Sequence, residues 1–442
     1  MTGWLYGAGF FGAGASWVYV SIHVYGHAPP PLAALLTGLF CLGLAILTGL
    51  QASLYVRISG VGQPPGIALF TGLWVLFEWL RSWLLTGFPW LYAGYATLDT
   101  PAAGWAPYVG VFGQSVIVVA LAGSVVAAIL AGAEQRSKSA LGLGVWVLIA
   151  VLGMPAGTID WTKPTGQPVA ITVYQPNIPL EQKWNPRYFT RILQQYETVT
   201  LPLFTTSDLV LWPESALPAY RDNIEPYLNH LSDAAARQGV TLVTGIPTRN
   251  SDGRYNSIVA LGSGSGEYHK QKLVPFGEYV PLEHWLRGLI QFFDLPMSNF
   301  TAGPNVPPIL TAGNLNLATF ICYEVVYPDF VWQGAKTSNL IITVSNDSWF
   351  GRSAGPLQHL QMARFRALET GRPVVRGTNN GVSAIIDRRG LITASAPQFS
   401  EQLIAGEAQP RTGLTPVMHW GSAPVLLLSA LWVAFAAYRR TR

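Results

Sequence analysis

Six stretches of this sequence are apolar for about the length that crosses a lipid bilayer, near residues 3–23, 32–54, 65–86, 111–132, 139–155 and 423–438. A spanning helix needs about 20 such residues, because the hydrocarbon layer offers no water to satisfy the backbone. A soluble domain could bury one such run in its core. It could not bury six, because too little polar sequence remains to cover them. Composition agrees: half of the 442 residues are hydrophobic and only 11% are charged, against about 25% in ordinary globular chains. Sixteen Trp and 18 Tyr supply rings suited to membrane–water interfaces. The sequence therefore predicts a multi-span α-helical bundle over 1–158, of about five spans. An α/β domain follows over 159–415, then a C-terminal transmembrane helix with a basic tail over 416–442.

The short loops set the orientation. Those near 24–31 and 87–110 carry no Lys or Arg, whereas the alternate ones carry Arg57, Arg136 and Lys138, and the tail carries Arg439, Arg440 and Arg442. Positive loops stay cytoplasmic, which puts the 159–415 domain on the opposite, extracytoplasmic side. The first segment lacks the basic leader of a signal peptide and reads as a span. The net charge of +4 includes no basic run before the last four residues, so nucleic acid is not expected as a partner. Glu78 and Arg81 lie three apart inside the third span and share a helix face. They read as an internal ion pair or as a polar lining for a lipid head group.

The chain has two cysteines. Cys41 falls inside the second span and reads as a small packing residue. Cys322 stands alone in a domain expected in an oxidising compartment, where a lone thiol is either buried and inert or reactive. Its setting favours reactivity. The apolar run Leu315–Ile321 reads as a buried strand that ends in Cys322, Tyr323 and Glu324. Reactive groups in α/β sheets gather where strands end and loops expose side chains. Two further runs end alike, one at Glu214 and one at Asn346 and Asp347. Eight strand-like runs alternate with helical patterns at 186–200, 223–238 and 356–370, as in a layered α/β domain. No Cys/His cluster has metal spacing and no phosphate-binding glycine loop occurs. His359, on the last of those helices, reads as a satisfied polar residue.

The blocks WPES (212–215), YHK (268–270) before LVPFGEYVP (273–281), ICYE (321–324), SNDSWFG (345–351) and TNNG (378–381), in this order, resemble the nitrilase (carbon–nitrogen hydrolase) superfamily. Together with the apolar segments they resemble, within it, the bacterial membrane enzymes that add an acyl chain to lipoproteins. FFDLPMS (292–298) belongs to the same pattern. The resemblance implies a nitrilase-like αββα sandwich and a catalytic triad of Glu214, Lys270 and Cys322, supported by Trp184, Glu278, Tyr323 and Glu324, with no cofactor or metal. It implies an acyl chain passed from a phospholipid donor, through a thioester on Cys322, to the N-terminal amine of a diacylglyceryl-apolipoprotein. The expected setting is the bacterial inner membrane with the catalytic domain on the periplasmic side, and a monomer is expected. Members usually carry two more N-terminal spans, eight in all, so this chain starts at what corresponds to the third. Two other readings stay open. One is a membrane-anchored amidase or nitrilase acting on a small substrate, for which one span would suffice as anchor. The other is a non-enzymatic transporter or lipoprotein-binding module.

Overall fold

The computed structural model describes residues 1–60, 66–280 and 299–440. The chain divides into two compact units, one of Met1–Tyr19, Pro29–Trp161 and Thr415–Arg442, the other of Val20–Ala28 and Thr162–Leu414. The sequence blocks at 281–283 and 292–298 and the tail residue Arg442 lie outside the described residues.

In the first unit, five described helices are long and apolar enough to cross a membrane: Pro30–Ser59, Ile67–Thr86, Pro101–Leu130, Arg136–Ala156 and Ala423–Arg440. Pro30–Ser59 shows how they pack. It buries Ala33, Thr37, Cys41 and Ala45, a small-residue seam at spacing four. It turns Leu35, Leu39, Ile46 and Leu50 outward. Small residues let helices approach where lipid supplies no hydrophobic drive between them. Cys41 packs beside Phe11 within this seam, its Sγ 3.5 Å from the Phe11 carbonyl oxygen. The approach is also close at Gly72, where any Cβ would stand 2.6 Å from the Ser429 carbonyl oxygen.

The first apolar segment departs from expectation. Its regular α-helix runs over Thr2–Ala15 and is then interrupted, with a short turn at Val18–Val20 and a π-helix at Ser21–Tyr25 following. Val20–Ala28 belongs instead to the second unit. There Ser21 Oγ donates to the Trp349 carbonyl at 2.8 Å and Tyr25 packs edge-on to the Trp349 ring. Tertiary contacts have taken the end of an apolar run, residues 20–23, that looks continuous in sequence. Glu78 and Arg81 are both buried. Glu78 Oε1 accepts from the Trp74 indole at 2.9 Å and from the Ala93 N–H at 2.7 Å. Arg81 donates to the Phe88 and Trp90 carbonyls. Each charge thus ties its helix to the loop that follows.

The second unit holds two large sheets. In chain order their strands are β1 (Val169–Gln175), β2 (Leu209–Leu211), β3 (Thr241–Asn250), β4 (Gly253–Gly262), β5 (Gly264–Ser265), β6 (Glu267–His269), β7 (Ile309–Ala312), β8 (Leu315–Ile321), β9 (Leu340–Ser345), β10 (Val374–Thr378), β11 (Ala384–Ile386), β12 (Ile392–Ser395) and β13 (Gln402–Ala408). One sheet runs β13-β1-β2-β3-β4-β6 and the other β12-β11-β10-β9-β8-β7-β5. β1, β2 and β3 are parallel, as are β8, β9 and β10. The inner faces share one core, in which Ile171, Val173, Leu211 and Val243 of the first sheet meet Ile321, Ile342, Val344 and Val375 of the second. Helices Phe189–Thr200 and Glu225–Arg237 close the outer face of the first sheet through Ile192, Tyr196, Leu228 and Leu231. Helices Pro328–Ala335 and Gly355–Thr370 close the second, with Phe330 against Phe320. This is the αββα sandwich. Sheets covered on both faces need the continuous apolar runs seen in the sequence.

Candidate active site

The parallel strands end at the same edge of their sheets, and the site grows from those ends. β2 stops at Leu211, and Trp212 and Pro213 carry the chain to Glu214. The turn is tight: Ser215 takes a left-handed φ of 45°. β3 passes directly beneath it, where a Cβ on Gly245 would sit 2.7 Å from the Glu214 Cα. β8 ends at Ile321, and Cys322 adopts φ 51° at the start of a 3-10 turn. β6 ends at His269 and delivers Lys270. β9 ends at Ser345, before Asn346 and Asp347.

These ends assemble a buried polar network. Lys270 Nζ lies 2.7 Å from Glu278 Oε2 and 3.7 Å from Glu214 Oε1. Asn256 Nδ2 donates to Glu214 Oε1 at 2.7 Å and to Glu278 Oε1 at 2.8 Å. The Asn346 N–H donates to Glu214 Oε2 at 2.7 Å, and the Val274 N–H to Glu278 Oε2 at 2.9 Å. Lys183 Nζ donates to the Glu214 carbonyl oxygen at 3.1 Å. Lys270 and Lys183 are each 1% exposed. Such burial is tolerable because each of these charged groups meets a hydrogen-bond or charge partner.

The electrostatics follow from these positions. Burial alone would lower the Lys270 ammonium, but the Glu278 and Glu214 carboxylates outweigh it and hold Lys270 above the usual lysine range. It stays charged. Burial, and then the Glu214 carboxylate, push the Cys322 thiol up; Lys270 offsets only part of this. Burial and the carboxylate both favour the protonated thiol over the thiolate. Burial pulls Lys183 down to about 8. Burial likewise pushes the Glu324 carboxyl up to about 7.

The supporting residues separate by their contacts. Glu278 is the direct charge partner of Lys270. Glu324, 0% exposed, accepts from the Tyr268 hydroxyl at 2.7 Å and from the N–H groups of Gln271, Lys272 and Ile321 at 2.7, 3.1 and 2.8 Å. It fastens the loop that carries Lys270 to the strand that carries Cys322. Tyr323 is half-buried and packs edge-on to Tyr327. Trp184 stands outside the carboxylate–lysine network. It lines a cavity of about 450 Å³ with Phe189, Tyr220, Ile224 and Phe300, and Lys183 also lines it. Sequence reasoning passed over Asn256 and Lys183, and marked Asn346 only as the end of a strand. Nothing local marks Asn256, because its role comes from the pairing that sets β4 beside β3. Lys183 was legible only as the residue before Trp184.

Two sheets stacked face to face, with a carboxylate, a lysine and a cysteine on adjoining loops, define a carbon–nitrogen hydrolase domain. The family model described as Carbon-nitrogen hydrolase matches residues 171–416. A second model, Apolipoprotein N-acyltransferase N-terminal domain, matches residues 1–124. The chain is 46% identical over 449 residues to the apolipoprotein N-acyltransferase of Pseudomonas syringae pv. tomato, covering 98% of this chain and 88% of that one. It is 46% identical to that of Azotobacter vinelandii, covering 99% of this chain and 86% of that one, and 39% identical to that of Methylococcus capsulatus, covering 100% and 88%. Among solved structures, a CN-hydrolase superfamily protein from Xanthomonas campestris overlays with a TM-score of 0.43 at 19% identity, covering 59% of this chain and 97% of that one. The chain belongs to the apolipoprotein N-acyltransferase family. It is a multi-pass inner-membrane acyltransferase.

Proposed function

We propose that Cys322 is the nucleophile, Glu214 the general base and acid, and Lys270 the oxyanion-stabilising cation of an acyl transfer from phospholipid to apolipoprotein. The observation that carries this reading is the Lys270 ammonium held between Glu278 and Glu214 at the strand ends that also present Cys322. Glu214 takes the thiol proton as Cys322 Sγ attacks the carbonyl carbon of a phospholipid ester. The carbonyl electrons move to oxygen, opposite the Lys270 charge. Donors of this kind are worth about 2.7–4 kcal/mol elsewhere. The ester C–O bond then breaks, Glu214 returns the proton to the departing alkoxide, and lysophospholipid leaves. The S-acyl thioester remains. The α-amine of the S-diacylglyceryl cysteine on the apolipoprotein attacks it, a C–N bond forms and the C–S bond breaks. The amine proton returns to the thiol by way of Glu214.

Glu278 acts through Lys270, Glu324 holds the two catalytic loops together, and Trp184 with its cavity receives an apolar part of a substrate. The positive residues Arg57, Arg136, Lys138, Arg439 and Arg440 sit at helix ends that alternation along the chain assigns to one side. That supports a cytoplasmic side there and a periplasmic catalytic domain. Unit bounds near 161/162 and 414/415 support a catalytic domain over 159–415. A monomer is sufficient for this chemistry, and nucleic acid has no part in it.

The test is direct. Wild-type enzyme incubated with a phospholipid acyl-labelled at both chains should carry one labelled acyl group on Cys322, sensitive to hydroxylamine. Cys322→Ala should carry none and should fail to N-acylate a diacylglyceryl peptide. A label that persists in Cys322→Ala rejects the assignment.

A further inference from the structure

The acyl-transfer scheme leaves one buried group beside the nucleophile without a role. His359, 1% exposed, lies on the Gly355–Thr370 helix. Its Nε2 is 3.1 Å from the Cys322 carbonyl oxygen. Its Nδ1 is 3.1 Å from Arg376 Nη2 and 3.1 Å from Asp347 Oδ1. Arg376 Nη2 also donates to Asp347 Oδ2 at 2.6 Å, and both of these side chains are fully buried.

The protons on this cluster can be assigned. A carbonyl oxygen only accepts, so the Cys322 carbonyl sets the proton on Nε2, while Nδ1 faces both a donor, Arg376 Nη2, and an acceptor, Asp347 Oδ1. The imidazole proton therefore sits on Nε2 and is donated to the Cys322 carbonyl. Burial, and then the Arg376 charge, push His359 below its usual 6.5, which keeps the ring neutral. Burial alone would raise the Asp347 carboxyl, but Arg376 and His359 outweigh it and hold it well below the carboxylate range. The triplet is a neutral imidazole pinned by a fixed ion pair.

The backbone it reaches is unusual. Cys322 is non-glycine at φ 51°, a conformation that persists only when surrounding structure enforces it. On its N-terminal side, the Ile321 N–H is held by Glu324 Oε2 at 2.8 Å. On its C-terminal side, the carbonyl is held by His359. We propose that His359, locked by Arg376 and Asp347, is a positioning residue that keeps Cys322 in its left-handed turn and so aims the thiol at the ester carbonyl. This rests on Cys322 being the nucleophile.

Side-chain reach gives the test. A Gln amide nitrogen extends about as far as Nε2, whereas Asn ends about where Nδ1 does. His359→Gln can still donate to the Cys322 carbonyl, and His359→Asn cannot. The measurement is single-turnover acylation of Cys322 in the full-length enzyme with phospholipid in detergent, read as thioester by intact mass, with KM and thermal midpoint beside it. His359→Asn should acylate about 10- to 100-fold more slowly, as a misaimed reacting atom would, with KM unchanged, and His359→Gln should recover most of the rate. Arg376→Lys keeps the charge but loses the planar fork, and should slow acylation in the same way. Equal losses in His359→Gln and His359→Asn, or losses that follow the thermal midpoint, overturn the inference. So does wild-type acylation in a folded His359→Asn or Arg376→Lys. Absence of any thioester from wild-type enzyme overturns the nucleophile assignment together with it, whereas a thioester formed at the wild-type rate by His359→Asn overturns the positioning role alone.

Discussion

At the residue scale, Lys183 offers the clearest titration. Its ammonium is buried and its folded pKa is pulled to about 8, against about 10.4 for a free lysine. Between those values the unfolded chain binds more protons than the folded one, so stability rises with pH across that window and is lost as pH falls through about 8. The thermal midpoint of the detergent-solubilised enzyme should climb from pH 8 to pH 10, and Lys183→Met should flatten that climb. A climb of equal size in Lys183→Met would show that another group carries it. Lys183→Met should also cost activity, because the Glu214 carbonyl loses its donor. The residues proposed as reactive stand out in sequence, since Glu214 and Cys322 close apolar runs. Asn256, which bridges Glu214 and Glu278, was not, because an asparagine inside a strand carries no local sign of what stands across from it.

At the scale of elements, the site depends on how closely strand ends approach. Gly245 lets β3 pass under the Glu214 turn, and an alanine Cβ there would meet the Glu214 Cα and the Pro213 carbonyl at 2.7 Å. Gly245→Ala should fold, yet lose about 100-fold in acylation rate, because displacement of a reacting group by about 1 Å costs that much. Glu324→Ala should behave differently. It removes the acceptor of four donors, two on strands β6 and β8 and two on the loop after Lys270, and each buried donor left unsatisfied costs about 1–3 kcal/mol. Its thermal midpoint and activity should fall together, whereas Cys322→Ala should lose activity with its midpoint kept; circular dichroism melts with paired assays separate the two. The eight strands expected from apolar runs all form. The edge strands β12 and β13 escaped notice because they are partly exposed. The runs between turns that mark buried strands are missing at a sheet edge.

For the whole molecule, the alternation of helices with one-sided positive charge fixes a testable topology. In a background of Cys41→Ala and Cys322→Ala, Asp252→Cys on the β3–β4 turn should react with a membrane-impermeant maleimide in intact spheroplasts. Glu134→Cys, in the turn before Arg136–Ala156, should react only after lysis. Both positions are exposed, so the reverse pattern would invert the proposed orientation. Sequence alone determined much: that the chain lives in a membrane, that one α/β domain interrupts its helices, and that a lone cysteine ends a buried strand. Those properties follow from hydropathy, length and strand periodicity, which are local. Only the tertiary structure decided that Val20–Ala28 leaves the first apolar segment for the second unit. It alone separated Glu278, which pairs with Lys270, from Glu324, which staples loops, and it alone put His359 on the Cys322 carbonyl. Each of these joins residues far apart in sequence, and a partner across the fold leaves no mark on the residues beside it.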